Sequence, residues 1–120
     1  MDSQAANEGR DNFTTADDFS HILELTYKGE NVNKTYSNMM MDILKKQQVK
    51  GRLDLYLPEE TVIAHKTGDL DSLEHDGGIV YLPDREYIIC VLTNKVKSNK
   101  DGREIIGSIS KMVYDEMSVN

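Results

Sequence analysis

The period at which apolar residues recur changes along this chain, and that change limits the fold class it can adopt. From about residue 14 to 48 they recur every three or four positions, which is typical of amphipathic helices. From 61 to 94 the chain is rich in valine, isoleucine and tyrosine, which favour strands. A helical period returns near residue 101. The order helix, helix, three strands, helix predicts an α+β fold rather than alternating α/β units.

The two N-terminal helices have predictable boundaries and inward faces. Thr14 and Thr15, followed by carboxylates, are typical of a helix start, and Gly29 suits a helix end. The second helix is predicted from about Lys34 to Gln48. The residues predicted to face inward are Phe19, Ile22, Leu23 and Thr26 in the first helix, and Tyr36, Met39, Met40, Ile43, Leu44 and Gln47 in the second.

The strands are predicted at residues 61–67, 78–82 and 87–94. Because Pro83–Glu86 suits a type I turn, the last two strands should form a hairpin, and all three an antiparallel meander. A C-terminal helix, starting at Asp101 or Gly102, is predicted to cover one face of this sheet. Its predicted inward residues are Ile105, Ile106, Ile109, Met112, Val113 and Met117.

Length and charge limit the organisation and the partners. The 120 residues suffice for one domain, predicted over 13–120 after a loop or ragged N-terminus at 1–12. Fourteen Lys and Arg against 21 Asp and Glu give a net charge of -7, which speaks against nucleic acid and anionic membranes as partners. The longest wholly apolar run, Ile88–Leu92, is far shorter than the roughly 20 residues of a membrane-spanning helix. Residues 1–8 lack the features of a signal peptide.

The cysteine and histidine residues do not predict a metal or cofactor site. Cys90 is the only cysteine, so it has no disulfide partner within the chain, and its apolar neighbours indicate a buried, unreactive side chain. The three histidines are scattered without ligand spacing. We therefore predict no metal and no cofactor.

The motif His65-Lys66-Thr67-Gly68 ends the first predicted strand, and Lys-Thr-Gly is one of three motifs shared by penicillin-recognising serine enzymes. With two helices before it and a hairpin and helix after it, the chain resembles the C-terminal half of class A β-lactamases. Ala64–Leu70 and His75–Tyr81 look like that family's third and fourth strands, and Asp11–Ala16 looks like the segment that leads into a helix after its omega loop. The resemblance covers about residues 10–117, which correspond to half of the β-lactamase/transpeptidase-like fold.

The resemblance implies a role for each residue of the motif. Lys66 would present its charge to the carboxylate of a β-lactam or a peptidoglycan stem peptide, and Thr67 would donate a hydroxyl hydrogen bond to the same group. Gly68 would let the substrate lie against the strand edge. The backbone N–H of Asp69 would be one of two oxyanion-hole donors, with its carboxylate pointing elsewhere.

The nucleophile that this chemistry needs is missing from its expected place. In the family it is Ser-x-x-Lys on a buried helix well before Lys-Thr-Gly, and no such motif precedes Lys66. Ser108-x-x-Lys111 follows the motif, where the family's order excludes it, and Lys111 falls on a polar helix face. Tyr36-Ser37-Asn38 spells a variant of the family's middle motif but lies too close to Lys66.

The candidates for the deacylating base and for the specificity residues each have two interpretations. Glu8 and Asn12 have the Glu-x-x-x-Asn spacing of the omega loop, although Asn12 abuts the helix start; the alternative is that Glu8 is a solvated loop acid. Asp11 resembles the aspartate that closes the neck of that loop. His75 and Asp76 are expected in a turn beside the cleft, where they either tune specificity or are only solvated.

Three functions remain open. The leading interpretation is a C-terminal fragment of a class A β-lactamase-like serine hydrolase, inactive alone, whose complete form opens β-lactam rings through an acyl-enzyme. The alternatives are a fragment of a D,D-peptidase or penicillin-binding protein, and a non-catalytic domain that keeps the carboxylate-binding strand.

As a truncated or split product, the chain is expected to dimerise, swap or aggregate, and a monomer at working concentration would contradict this. The resemblance implies that complete relatives are exported, and the compartment of this chain is left open.

Overall fold

The computed structural model describes residues 13–119 together with Gln4 and Glu8. The elements are α1 (Ala16–Tyr27), α2 (Lys34–Lys45), β1 (Val62–Leu70), β2 (Leu73–Tyr81), β3 (Glu86–Leu92) and α3 (Asn99–Met117). The strands form one antiparallel sheet in the order β1-β2-β3, which confirms the predicted α+β fold and meander. No helix in the described part of the chain has both the length and the apolarity needed to cross a bilayer. The domain boundary at residue 12 stays a prediction.

Each helix begins after a side chain that accepts a hydrogen bond from the backbone N–H three residues further on, which satisfies one unpaired donor of the first turn. The capping residues are Thr15, Asn33 and Ser98. Because Ser98 caps α3, this helix starts at Asn99, before the predicted start at Asp101. The second helix ends at Lys45 rather than Gln48, since the Gln47 side chain bonds to the backbone of Val49.

The turn predicted at His75 and Asp76 is wrong, because both residues lie inside β2. The connection between β1 and β2 consists only of Asp71 and Ser72, and Ser72 adopts a positive φ of 64°. Polar and glycine residues around this connection look like a longer turn in the sequence. They form strand because the buried carboxylates of β2 have specific partners elsewhere in the chain.

Apolar side chains cover both faces of the sheet. On one face, α3 and the segment 50–57 pack against the strands, and the buried residues there are Leu53, Leu57, Ile63, Val80, Ile89 and Ile106. On the other face lie α1 and α2, with Met41, Ala64 and Ile79 buried. Lys66 alternates with the residues of the first face and therefore lies on the face of α1 and α2.

Several residues predicted to face inward are exposed. Ile22 is 55% exposed and Ile43 68% exposed, because α1 turns Leu23 and Thr26 inward and α2 turns Ser37 and Met41 inward. The same correction applies to Tyr36, Met39, Ile105 and Met112, which are all exposed.

A buried ion-pair cluster joins β2 to α3 and to the segment 50–57. Arg52 reaches Glu74 Oε1 with Nε and Nη2, both at 2.9 Å. Arg103 Nη1 lies 3.2 Å from Glu74 Oε2, and Asn99 donates to the same oxygen at 2.8 Å. The Glu74 side chain is buried, and these partners supply the hydrogen bonds that a buried charge requires.

We expect Glu74→Ala to destabilise the protein by about 3–5 kcal/mol, because it leaves the buried Arg52 without its counter-charge. Urea unfolding followed by circular dichroism measures this change. Glu60→Ala, at an exposed position, is the control and should stay within about 0.5 kcal/mol of wild type. Equal effects of the two substitutions would contradict the role of the cluster.

The hydroxyl of Tyr87 is buried and has no hydrogen-bond partner among the described residues. Burial, reinforced by the neighbouring Tyr114, raises the pKa of Tyr87 to about 12. An unfolded tyrosine releases its proton near pH 10, so the unfolded state holds fewer protons than the folded state above that pH. The contribution of Tyr87 to stability is therefore lost as pH rises from 10 towards 12.

We expect Tyr87→Phe to leave the free energy of unfolding unchanged or to raise it by about 1 kcal/mol, since it removes an unpaired buried hydroxyl without creating a cavity. The difference between the variant and wild type should grow between pH 10 and 12, measured by urea unfolding at each pH. A loss of stability in Tyr87→Phe at neutral pH would mean that the hydroxyl has a partner.

Candidate functional site

The outer edge of β1 presents backbone groups that have no partner strand among the described residues. Within the described residues β1 pairs only with β2, and Leu70 lies opposite Leu73 across a two-residue connection. Alternate residues of an antiparallel strand direct their N–H and C=O groups towards the partner strand. Leu70 and Gly68 therefore face β2, whereas Thr67 and Asp69 direct their N–H and C=O groups to the free edge.

The four residues predicted to form the site lie contiguously along this edge. Lys66 is exposed, and its Nζ donates to the backbone carbonyl of Thr67. Thr67 and Gly68 are half-buried. The carboxylate of Asp69 is exposed and lies 3.8 Å from Arg52 Nη2, so it points away from the free edge. We call residues 66–69 the motif edge.

An apolar groove opens between α1 and α2 next to the motif edge. It has a volume of about 290 Å³, and we call it the α1–α2 groove. Its lining consists of Phe19, Ile22, Leu23, Thr26, Asn31, Met40, Ile43, Leu44 and Lys66. Lys66 therefore places a positive charge at the border of a mostly apolar surface.

A buried histidine and aspartate support the motif edge from the other face of the sheet. His65 Nδ1 lies 2.9 and 2.8 Å from the two carboxylate oxygens of Asp76, and the two side chains are 1% and 0% exposed. Asp76 also accepts a hydrogen bond from Leu53 N at 3.2 Å. Sequence reasoning missed this pair, although His65 precedes the motif directly.

Gly78 allows β1 and β2 to approach closely at His65, its partner in the strand register. A Cβ atom at Gly78 would lie 2.4 Å from the Ala64 carbonyl oxygen and 2.5 Å from His65 Cβ. Neither contact is sterically allowed, because both involve atoms fixed by the backbone. At Gly68 the nearest atom to an added Cβ would be His75 Cβ at 4.0 Å, so space is available there.

We therefore expect Gly78→Ala to destabilise the protein by at least about 2 kcal/mol, since β1 and β2 must separate to admit the methyl group. Gly68→Ala is the matched control and should change the free energy of unfolding by less than about 1 kcal/mol. Thermal and urea unfolding of both variants measure the difference. Tolerance of Gly78→Ala would contradict the close contact of the strands.

Ser108 and Ser37, the serines of the two further motifs in the sequence, have hydrogen-bond partners away from the motif edge. Ser108 Oγ lies 3.5 Å from Glu104, and Lys111 Nζ lies 2.6 Å from Asp115, so each makes its contact with a different residue. Both belong to α3, on the face of the sheet opposite the α1–α2 groove. Ser37 is buried and exchanges two hydrogen bonds with the backbone of Asn31, which indicates a structural role.

The remaining residues considered in the sequence are Glu8, Asp11, Asn12 and Cys90. Glu8 is exposed in a turn and accepts a hydrogen bond from Gln4 at 3.2 Å, while Asp11 and Asn12 lie outside the described residues. Burial raises the pKa of the half-buried Cys90 thiol, and a hydrogen bond with Ser20 opposes this shift. Residues 13–119, with Gln4 and Glu8, contain no cluster of three side chains able to hold a metal ion.

Comparison with known proteins gives the same assignment at the level of family. The model of the Beta-lactamase enzyme family matches residues 1–117. A β-lactamase of Bacteroides uniformis is 39% identical over 70 residues, which are 51% of this chain and 24% of that protein.

Solved structures share the fold. The β-lactamase from Sphaerobacter thermophilus DSM 20745 has a TM-score of 0.82 and 25% identity over 88% of this chain and 41% of its own. PBP-A has a TM-score of 0.79 and 26% identity over 87% of this chain and 40% of its own. A mutant of PBP-A, solved as an acyl-enzyme complex with penicillin G, has a TM-score of 0.84 at 24% identity over 98% of this chain and 45% of its own. This last similarity shows only that the two chains share a fold.

The sheet, its helices and the motif edge define a β-lactamase-like fold. With the family model matching nearly all of it, the chain belongs to the Beta-lactamase enzyme family. The chain spans 24% of the curated relative and 40–45% of the solved structures.

Proposed function

We propose that this chain forms the carboxylate-binding wall of the active-site cleft in a class A-like serine hydrolase that opens β-lactam rings. The observation that carries the proposal is the motif edge, where Lys66 is exposed beside outward-facing backbone groups of Thr67 and Asp69. The nucleophile would come from the part of the fold that this chain does not span. Alone, the chain would bind a β-lactam without hydrolysing it.

Each residue of the motif edge has a chemical role in this proposal. Lys66 attracts the ligand carboxylate, and the hydroxyl of Thr67 donates a second hydrogen bond to it. Gly68 leaves the strand surface open. The N–H of Asp69, which has no strand partner among the described residues, stabilises the negative charge that develops on the lactam oxygen when a serine attacks the carbonyl carbon. The ring C–N bond then breaks, and water later releases the acyl group.

The α1–α2 groove supports the proposal that a second wall is needed. Ile22 and Ile43 expose apolar surface there, beside Lys66, and such a surface is unfavourable in water unless another element covers it. The missing part of the fold would cover this groove and bring the nucleophile to the motif edge. For the chain without that part of the fold, a homodimer or a domain-swapped assembly stays a prediction.

A D,D-peptidase or penicillin-binding protein is the second candidate, because Lys-Thr-Gly serves both chemistries. The similarity to PBP-A favours it. The two candidates differ in the lifetime of the acyl-enzyme, since only a β-lactamase needs a base that deacylates it rapidly. The third candidate is a non-catalytic domain. Such a domain would bind the carboxylate of a β-lactam, and no acyl-enzyme would form even when the rest of the fold is present.

The test is titration of the chain with benzylpenicillin, followed by amide NMR spectra and by intact mass. We expect resonances of the motif edge to shift in wild type and the mass to stay unchanged. Lys66→Ala should weaken binding at least about tenfold, because a charge-assisted hydrogen bond contributes about 1.5–3 kcal/mol. Lys97→Ala removes an exposed lysine outside the groove lining and is the matched control.

Two results would contradict the proposal. A covalent adduct would mean that the chain carries its own nucleophile, with Ser108 the first residue to test. Binding that survives Lys66→Ala would place the carboxylate site elsewhere.

A further inference from the structure

The side-chain amide of Gln47 has only one orientation compatible with its hydrogen bonds. Its Oε1 accepts from Val49 N at 2.9 Å, and its Nε2 donates to Val49 O at 3.2 Å. Because a backbone N–H can only donate and a carbonyl can only accept, the two bonds cannot be exchanged. The same Nε2 contacts His65 Nε2, so Gln47 presents a donor to the imidazole ring.

The contact of the other ring nitrogen of His65, Nδ1, determines which of the two nitrogens carries the proton. His65 Nδ1 faces the carboxylate of Asp76 at 2.8 Å, and an ionised carboxylate can only accept, so Nδ1 carries the proton. His65 Nε2 must then accept the hydrogen bond from Gln47. The two neighbours therefore hold His65 as a neutral imidazole in a single tautomer and a single orientation.

We propose that Gln47 is a positioning residue for the motif edge, which it controls through the neutral ring of His65. This inference rests on the proposed function only in treating that edge as the carboxylate site. Gln47 touches neither Lys66 nor Asp69 in any hydrogen bond of the described chain, and acts through the strand that His65 anchors.

The position of His65 explains how the effect reaches the motif edge. His65 and Lys66 are consecutive in β1, with side chains on opposite faces, so rotation of the strand at His65 turns Lys66 away from the groove border. Gly78 lies against Ala64 and His65 with no space for a Cβ, which removes room for adjustment between the strands. The ring is thus held by β2 on one side and by the α2–β1 connection on the other.

A second proton on the ring would find no acceptor at Gln47. A proton on His65 Nε2 would face the amide donors of Gln47, and two donors repel. Relief requires the Gln47 amide to rotate, which breaks both of its bonds to Val49 and removes the contact by which the α2–β1 connection holds the His65 ring.

Gln47→Glu tests the inference, because a carboxylate cannot donate to His65 and instead favours a ring protonated on both nitrogens. Side-chain ¹⁵N NMR reads the state of His65 directly. In wild type we expect Nδ1 protonated and Nε2 unprotonated, and in Q47E both protonated. The amides of residues 67–69 should shift in Q47E without ligand, and benzylpenicillin should bind about tenfold more weakly.

Gln48→Glu is the matched control, since it adds the same charge at the neighbouring, exposed position. It should leave the His65 spectrum, the edge amides and the affinity as in wild type. If Q47E fails to fold, Gln47→Met keeps the side-chain length without charge or donor, and its edge amides should also shift.

The outcomes separate this inference from the proposed function. A wild-type His65 with the proton on Nε2, or Q47E edge amides identical to wild type, would overturn the role of Gln47. Absence of any Lys66-dependent binding in wild type would refute the carboxylate site, while the tautomer and edge amides would still decide whether Gln47 positions β1.

Discussion

The arrangement of this protein depends on two buried carboxylates in β2. Glu74 binds Arg52, and Asp76 binds both His65 and the backbone of Leu53. These contacts hold the segment 50–57 beneath β1 and satisfy charges that would otherwise make burial of this strand unfavourable. The same contacts keep the polar stretch after the motif in strand conformation, so that β1 and β2 continue to a two-residue connection.

That short connection determines what the free edge of β1 can offer a ligand. With Leu70 opposite Leu73, the backbone groups of Thr67 and Asp69 point outward, and a shift of one residue would instead turn those of Lys66 and Gly68 outward. The orientation of the Asp69 N–H, on which the proposed oxyanion stabilisation depends, is therefore a consequence of strand register. The register in turn is held by buried pairs on the other face of the sheet.

The sequence predicts the features that arise from local pattern. Helical and strand periodicity gave the element order and the meander, and Lys-Thr-Gly located the motif edge. The extent of β2 could not be predicted, because Glu74 and Asp76 look like solvated turn residues unless their partners are known. Those partners, Arg52 and His65, lie 22 and 11 positions away in sequence, and no local signal links them. The contact between Gln47 and His65 could not be predicted either, because the two residues lie 18 positions apart and no local signal links them.

The errors in the inward faces of α1 and α2 have a different origin. Periodicity located the apolar positions of both helices, but the prediction of their inward faces assumed that each helix buries all of its apolar surface. Leu23 and Met41 are buried, and Met41 packs against Ala64 and Ile79 of the sheet. Ile22 and Ile43 instead expose apolar surface along the α1–α2 groove, so each helix has both buried and exposed apolar residues. A helix that is apolar on two sides is suited to lie between two layers. The proposed function accounts for the second layer, because the surface left exposed borders Lys66, where a partner carrying the nucleophile would have to lie.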